Sequence, residues 1–465
     1  MRNKPKWLAL FLVLGLVLAA CGGGEGGDTT TTAAAEEEAT TTAAAEEEPT
    51  TTAAAEEEPA AEIATDVGVD LEAGTITIGL LSDLSGPFSP LVQVINTGHD
   101  LYWASVNEAG GINGLNVQLE VRDTGYVVDT HVQLYEELKS QVVAFGHSTG
   151  SPHTVAINSS LQADGILAIP LTWYSGWSDP AINANLVPHG VPYCIEAMNM
   201  IEYLTTQAPE ATTIAIASSP GDYGQDSNAG AVMVAEALGL EVVYDGTGTI
   251  VATDPATLAE AANGIAGSGA ELVWVTTDPT SFGGVYGQAL AAGFSGALWS
   301  GAGPSWNPAL IGPDSPIAEP LANDFYISQY YAPWAADSPG NQMVRDLVEA
   351  AGAPPLDYYA EGVIEAKIMH EALLAAYEAG DMTQTGVLNA AKSLESVTFD
   401  GLAPDETYVG EANDRLQRLQ FISRPDLEGL AGGTSTGATL VESDYTSPTA
   451  AAFQFDAACF ALEAG

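Results

Sequence analysis

The feature that most constrains the fold is a regular alternation of short apolar runs with longer segments of helical spacing. A β-rich run at residues 75–81 is followed by a helical pattern at 94–109, and the same order then repeats. Strands that alternate with helices predict a parallel sheet covered on both faces. The alternation stops near residue 193 and restarts at 198, which predicts an α/β fold with two Rossmann-like lobes.

Each predicted lobe contains four strands. Strands are predicted at residues 75–81, 117–121, 142–145 and 166–169 in the first lobe, and at 213–217, 241–244, 271–276 and 297–300 in the second. Later strands are predicted at 324–331, 398–401 and 416–423, with long helices at 341–351 and 359–379, and no assignment after Gly432. We therefore expect a first lobe of residues 74–193 with 324–396, and a second of 194–323 with 397–465.

The first residues predict export. Basic Arg2, Lys4 and Lys6 precede an apolar stretch at 7–20, which is short for a membrane span. The stretch ends L-A-A-C-G, which resembles a bacterial lipobox. This resemblance implies that residues 1–20 are a signal peptide and that Cys21 carries lipid. The alternative is an ordinary signal with a chance cysteine.

Residues 21–73 are predicted to be a disordered tether between the lipid anchor and the lobes. Three near-copies of T-T-T-A-A-A-E-E-E supply no large apolar side chain for a core, and the glutamates repel one another. No later segment is apolar enough to cross a bilayer, so the rest of the chain is expected outside the cytoplasm. Cys194 and Cys459 then form either a disulfide or two buried thiols.

The charge excludes one class of partner. The chain has 11 Lys and Arg against 61 Asp and Glu, for a formal net charge of −50. Nucleic-acid binding needs a basic surface, so no nucleic-acid partner is expected.

Ligands of doubly wound sheets bind at the carboxyl ends of the strands. The loops predicted there are rich in hydroxyls and aromatic residues. Aromatic residues that can wall a cleft are Trp173, Tyr174, Trp177, Tyr223, Phe282 and Trp306. One loop reads G-H-S-T-G at 146–150 between a strand and a helix. It fits either a cradle for a ligand carboxylate or the nucleophile elbow of a serine hydrolase.

Several motifs resemble the branched-chain amino-acid-binding proteins, the receptors of ABC importers. They are I-T-I-G-L-L-S-D-L-S-G-P-F at 76–88, V-N-E-A-G-G-I-N-G-L-N-V at 106–117, G-H-S-T-G-S at 146–151, G-I-L-A-I-P at 165–170, P-G-D-Y-G at 220–224 and F-D-G at 399–401. The resemblance implies the type I periplasmic-binding fold, in which three segments join two lobes. It also implies partner permease and ATPase subunits, and no cofactor.

The resemblance also implies a set of ligand-binding residues. They are Ser85, Phe88, Ser148, Thr149, Gly150, Ser151, Thr172, Trp173, Tyr174, Tyr223 and Asp278. The family usually places a carboxylate near Ala302 and Gly303 for a ligand ammonium, and here there is none. Either Asp222 or Asp278 replaces it, or the ligand is not an α-amino acid. The bulk of Trp173 and Tyr174 favours a short, flat or amide-like ligand.

Two other functions compete with solute binding. A hydrolase needs a histidine and a carboxylate beside Ser148, and downstream only His153, His189 and His370 are available. A ligand-sensing module of a signalling receptor has no feature that separates it. The histidines lack metal-ligand spacing, so no metal site is expected. We therefore expect a non-enzymatic, lipid-anchored extracytoplasmic receptor that binds a small polar or amphipathic solute between its lobes.

Overall fold

The computed structural model describes residues 63–252 and 254–462. The predicted signal peptide, the predicted lipidation site at Cys21 and the predicted tether as far as residue 62 lie outside the described residues. In the described part of the chain, no helix is both long enough and apolar enough to cross a membrane.

The first lobe is a parallel sheet with helices on both faces. Its elements are β1 (Ala64–Thr65), β2 (Val69–Asp70), β3 (Thr75–Ser82), α1 (Ser89–Glu108), β4 (Asn116–Asp123), α2 (Val128–Leu138), β5 (Ala144–Thr149), α3 (Ser151–Asp164) and β6 (Ala168–Leu171). The parallel strands lie in the order β4-β3-β5-β6, and β2 runs antiparallel to the first residues of β3. Strand β3 is apolar on both sides because helices cover both faces of the sheet.

The second lobe repeats the same winding. Its elements are α4 (Tyr193–Gln207), β7 (Thr213–Ser218), α5 (Asp222–Leu238), β8 (Glu241–Gly246), α6 (Pro255–Ser268), β9 (Leu272–Thr276), α7 (Pro279–Ala291), β10 (Leu298–Ser300), α8 (Ala318–Asp324) and β11 (Ile327–Gln329). Strands β8-β7-β9-β10 form a parallel sheet in that order.

The chain then returns to the first lobe and back again. The remaining elements are α9 (Pro339–Ala351), α10 (Tyr359–Glu378), β12 (Asp381–Met382), α11 (Gln384–Lys392), α12 (Ala412–Arg415), β13 (Gln420–Pro425), α13 (Leu427–Gly432), β14 (Ala438–Tyr445) and α14 (Pro448–Ala452). Strands β11-β13-β14 form a small antiparallel sheet. The chain thus passes between the lobes three times, after β6, after β11 and after α11, which confirms the predicted fold class.

The structure differs from the sequence prediction at three boundaries. Residues 63–73 are ordered, because β1 pairs with β12 and β2 with β3, so the folded part begins before Gly74. Phe325 bridges Trp299 of the second lobe and is buried in that lobe's core, so 324–329 belong to the second lobe rather than the first. Residues after Gly432, left unassigned from sequence, form β14 and α14.

The strand predicted at 398–401 is a turn. Asp400 and Gly401 have φ angles of 54° and 81°, which lie in the left-handed region and cannot continue a strand. The F-D-G sequence therefore marks a reversal of the chain, and the neighbouring Val397 makes only an isolated bridge with Glu406.

A disulfide between Cys194 and Cys459 fixes the C-terminal tail to the start of α4. The backbone N–H of Cys459 donates to Ser175 Oγ at 2.9 Å, and the N–H of Phe460 donates to Asp226 Oδ1 at 3.2 Å. Ser175 follows the last strand of the first lobe, whereas Asp226 lies on α5 of the second. The tail therefore contacts both lobes beside the first crossing.

Helices α1 and α10 pack closely because glycines face each other at their crossing. A Cβ at Gly362 would overlap the backbone carbonyl of Ile95, and one at Gly98 would overlap that of Tyr359. Since backbone atoms cannot move aside as a flexible side chain can, the close approach requires glycine at both positions. This contact sets the position of the first turn of α10 against α1.

We predict that Gly362→Ala lowers the free energy of unfolding by about 1–3 kcal/mol, because the new methyl group forces the two helices apart. The matched control is Gly267→Ala on α6, where a Cβ meets no atom within 4 Å. That change should raise stability by about 0.5–1 kcal/mol through helix propensity. Denaturant unfolding of both variants measures the difference, and equal effects would contradict the packing argument.

Candidate functional site

A cavity lies between the lobes, where both lobes and the crossings meet. Its wall comes from the first turns of α1, the β5–α3 loop, the start of α4 and α5, the loop after β10, the end of β11 and the first turn of α10. The lining residues are Phe88, Leu91, Val92, Ile95, Tyr126, Thr149, Gly150, Leu171, Trp173, Tyr193, Tyr223, Gly303, Pro304, Trp306, Ser328, Gln329, Tyr330, Tyr331, Asp357, Tyr358 and Glu361.

Aromatic rings form most of this wall. Trp173 from the first lobe stacks on Tyr330 of the second crossing, with ring centroids 4.1 Å apart and planes at 22°. Across the cleft, the ring centroid of Phe88 lies 6.0 Å from that of Tyr223. The ring centroid of Tyr223 also lies 4.7 Å from that of Tyr193. The two lobes therefore meet through ring contacts, and the space between them suits a flat or apolar solute body.

Five of the sequence-predicted ligand-binding residues line this cavity. They are Phe88, Thr149, Gly150, Trp173 and Tyr223, and Trp306 of the proposed aromatic wall lies with them. The other six, Ser85, Ser148, Ser151, Thr172, Tyr174 and Asp278, do not line it. Of the remaining proposed wall residues, Trp177 and Phe282 are buried in the cores of the first and second lobes.

Ser148 is fully buried beneath the loop rather than exposed at the cavity. Its Oγ lies 2.9 Å from Thr154 Oγ1 and 3.2 Å from His131 Nε2. Burial lowers the pKa of His131 to about 3, so this imidazole is a poor base at neutral pH. Its Nδ1 has no hydrogen-bond partner among the described residues, so the third member of a hydrolase triad is missing.

The other hydroxyls of this loop are also occupied by protein groups. Thr149 Oγ1 lies 2.6 Å from His147 Nε2, and Ser151 Oγ pairs with Thr172 Oγ1. The N–H of Gly150 donates to the carbonyl of Leu171 at 3.3 Å. In the predicted carboxylate cradle, these donors therefore form hydrogen bonds within the protein, which hold the β5–α3 loop to its neighbours.

Of the three remaining predicted residues, Asp278 and Tyr174 have structural contacts and Ser85 does not line the cavity. Asp278 caps α7, where its Oδ1 accepts the N–H of Ser281 at 3.0 Å. Tyr174 donates its hydroxyl to the carbonyl of Phe460 at 2.7 Å, and Ser85 is exposed to solvent. None of them faces a solute in the cavity, so Asp278 does not replace the missing carboxylate.

Sequence reasoning missed the two acidic residues of the cavity. Asp357 lies in the turn just before α10, Glu361 lies in the first turn of that helix, and both line the cavity. The signal that points to them is a pair of acidic residues four positions apart, one just before and one just inside the start of a predicted helix. Asp222 is buried and its Oδ2 has no hydrogen-bond partner among the described residues, but it does not line the cavity.

Residues 75–453 match the family described as periplasmic binding protein. The chain belongs to this family. It is a solute-binding protein, and the serine hydrolase alternative is not favoured. No functionally curated protein shows significant similarity to the chain.

Solved structures share the fold. A fatty acid ABC transporter substrate-binding protein from Thermomonospora curvata is 26% identical, with a TM-score of 0.75 over 84% of this chain and 97% of that one. A branched-chain amino acid ABC transporter protein from Thermus thermophilus with bound valine is 19% identical, with a TM-score of 0.68 over 81% and 97%. A solute-binding protein from R. palustris in complex with 4-hydroxybenzoate is 18% identical, with a TM-score of 0.66 over 81% and 98%.

Behind the cavity of this periplasmic binding protein lies a buried network around Glu365. Its Oε2 is 2.9 Å from His99 Nε2 and 2.8 Å from His147 Nδ1, while its Oε1 is 3.6 Å from His189 Nε2. Burial opposes ionisation, but the histidines hold the pKa of Glu365 well below its usual value. The donor atoms of His99, His147 and Glu365 are close enough to hold a metal ion, yet hydrogen bonds already account for these distances.

Two further buried carboxyls join the crossings. Glu196 on α4 accepts hydrogen bonds from the N–H of Gly303 at 2.7 Å and from the hydroxyls of Ser328 and Tyr330. Glu406 accepts the N–H of Gly190 at 2.8 Å. Burial raises the pKa of both carboxyls to about 8, because desolvation outweighs the hydrogen bonds that favour the charged form.

We predict that the free energy of unfolding falls as pH rises from 6.5 to 8.5. Unfolded glutamates are ionised throughout this range, whereas the native protein keeps protons on Glu196 and Glu406 until pH reaches about 8. The native state binds more protons at pH 6.5, so each carboxyl loses about 2 kcal/mol of stabilisation over this interval. Denaturant titrations at several pH values measure the slope, and Glu406→Gln should flatten it. A slope of the opposite sign would contradict these assignments.

Proposed function

We propose that this chain is the lipid-anchored solute receptor of an ABC importer, and that it binds a small amphipathic solute with an apolar or aromatic body. The observation that carries this proposal is the cavity between the lobes. Its aromatic wall comes from both lobes and from a crossing segment, so a solute bound there contacts every part that moves in lobe closure. Ligand binding then favours the closed arrangement over the open one.

The comparison proteins support the transport role. The Thermomonospora curvata protein is a substrate-binding protein of a fatty acid ABC transporter, and the other two come from transporters or solute-binding systems. A closed two-lobe protein presents one joined surface to a permease. Binding energy is thereby used to shift a conformational population rather than to break a bond, so we infer that the chain is not an enzyme.

Thermal unfolding of the mature chain against a panel of solutes tests the receptor function. The panel contains amino acids, amides, urea-like compounds, carboxylates and amines. A solute at about 100 times its Kd should add about 2.7 kcal/mol to the stability, because it binds the native state and not the unfolded one. A panel in which no solute raises the Tm would count against the receptor function.

The variant Phe88→Ala should weaken binding of any solute found by about tenfold, since it removes one ring at the cleft between the lobes. The control is Phe294→Ala, which removes another half-buried ring that packs on Trp299 in the second lobe, away from the cavity. Isothermal calorimetry measures both affinities. If the two variants weaken binding equally, the solute does not bind in this cavity.

Membrane attachment is proposed to depend on Cys21. In bacteria fed a labelled fatty acid, the wild-type chain should carry label and sediment with membranes, and Cys21→Ser should do neither. A Cys194→Ser, Cys459→Ser double variant should keep the label, because these thiols form the disulfide. Labelling of the Cys21→Ser chain would contradict the lipid anchor.

A further inference from the structure

The charged groups that line the cavity are all acidic. Asp357 and Glu361 are its two charged residues, and the lining described by the structure contains no Lys, Arg or His. Both residues are buried, with exposed fractions of 4% and 1%. Buried charges are normally paired or hydrogen-bonded, so two carboxyls on an apolar cavity need an explanation.

Three of the four carboxyl oxygens have no hydrogen-bond partner among the described residues. Asp357 Oδ1 accepts the N–H of Trp334 at 2.7 Å and the hydroxyl of Thr436 at 2.5 Å, but its Oδ2 accepts nothing. Neither oxygen of Glu361 has a hydrogen bond of acceptable geometry. Hydrogen-bond acceptors are therefore available at one end of the cavity.

The nearest histidine does not neutralise both residues. His189 Nδ1 lies 3.2 Å from Glu361 Oε1, but its Nε2 also faces Glu365 at 3.6 Å. Burial lowers the pKa of His189, yet Glu361 and Glu365 more than offset this and raise it. One imidazolium thus stands near three carboxyls, those of Glu361, Glu365 and Glu406. Burial raises the pKa of Asp357, and it raises the pKa of Glu361 to about 7, so a bound cation at this end of the cavity would favour the ionised form of both acids.

Tyrosine rings surround the same end of the cavity. Tyr331 and Tyr358 lie edge to face with centroids 6.2 Å apart, and both line the cavity. Burial first, and then the nearby Asp357 and Glu361, raise the pKa of both phenols, so their rings stay neutral. Neutral aromatic faces beside carboxylates attract a cation through the ring quadrupole.

The residues described as lining the cavity offer no comparable binding site for a negatively charged group. The hydroxyls of Thr149, Ser151 and Thr172 pair with protein groups, and within residues 63–252 and 254–462 no basic side chain lines the cavity. A carboxylate solute would meet two carboxyls of its own sign. Electrostatics therefore distinguish between the solute classes that an aromatic wall alone would accept.

We propose that the cavity is specific for a small hydrophobic cation, an ammonium group on an apolar body, which Asp357 and Glu361 bind at the start of α10. This rests on the proposed function as a solute receptor and names the solute class. The apolar body lies against the aromatic wall, and the ammonium donates to the free carboxyl oxygens. The first turn of α10 supports the two acids, since the positive end of a helix stabilises negative charge.

Three probes of matched shape test the proposal by calorimetry with the mature chain. They are 3-phenylpropylammonium, 3-phenylpropanol and 3-phenylpropionate, which carry a positive, a neutral and a negative end group on one apolar body. The ammonium should bind at least about tenfold more tightly than the alcohol, and the carboxylate more weakly than either.

Variants that replace each carboxyl by an amide of the same size test whether Asp357 and Glu361 bind the ammonium group. Glu361→Gln and Asp357→Asn should each weaken ammonium binding by about tenfold or more while leaving alcohol binding within about twofold. The control is Glu406→Gln, a buried carboxyl outside the cavity, which should bind all three probes as the wild type does. The two cavity variants retain the size of the native side chains, and their unfolding curves show whether each one folds.

Three results would overturn the proposal. They are carboxylate or alcohol binding as tight as ammonium binding, ammonium affinity unchanged in both cavity variants, and no ammonium binding at all. If another solute of the wider panel still raises the Tm, the receptor function stands and only the solute class is wrong. If no solute of the panel does so, the receptor function fails as well.

Discussion

The cleft depends on one buried carboxyl, that of Glu196. It lies on the first helix of the second lobe and accepts hydrogen bonds from the loop after β10, from β11 and from the second crossing. Each of those segments contributes residues to the cavity wall. Burial raises its pKa, so a single neutral or weakly acidic group connects three separate parts of the wall in an apolar interior. Such a fully satisfied polar cluster fixes relative positions that apolar packing alone leaves loose.

The fold was predictable because its signal is repeated. Each strand of the two parallel sheets shows its own apolar run or, in β4, an alternating apolar pattern, and errors of one or two residues at the ends do not change the order of strands. The turn at Asp400 and Gly401 shows the limit of this reasoning. Asp-Gly is itself a turn signal, because both residues tolerate positive φ angles, and the two residues before it are too few to form a strand.

The site was predictable only where the chain's order brings loops together. Phe88 and Tyr223 follow strands of different lobes and do meet across the cleft, as strand-end reasoning indicates. Ser148 also follows a strand, but its side chain turns inward to His131, and no sequence pattern reports the direction of one side chain. Glu361 was not predicted as a site residue because it lies on a helix that reaches the cavity only through the close packing of α10 against α1.

The attachment of the C-terminal tail has a mechanical consequence. The tail is covalently joined to α4 and hydrogen-bonded to Ser175 of one lobe and to Asp226 of the other, next to the first crossing. A rotation of the lobes that preserves these bonds must have its axis near the tail. The displacement of each residue then grows with its distance from that axis, so the residues farthest from the tail move the most. A small angular change at the tail becomes a wide opening of the cleft at the end far from the tail.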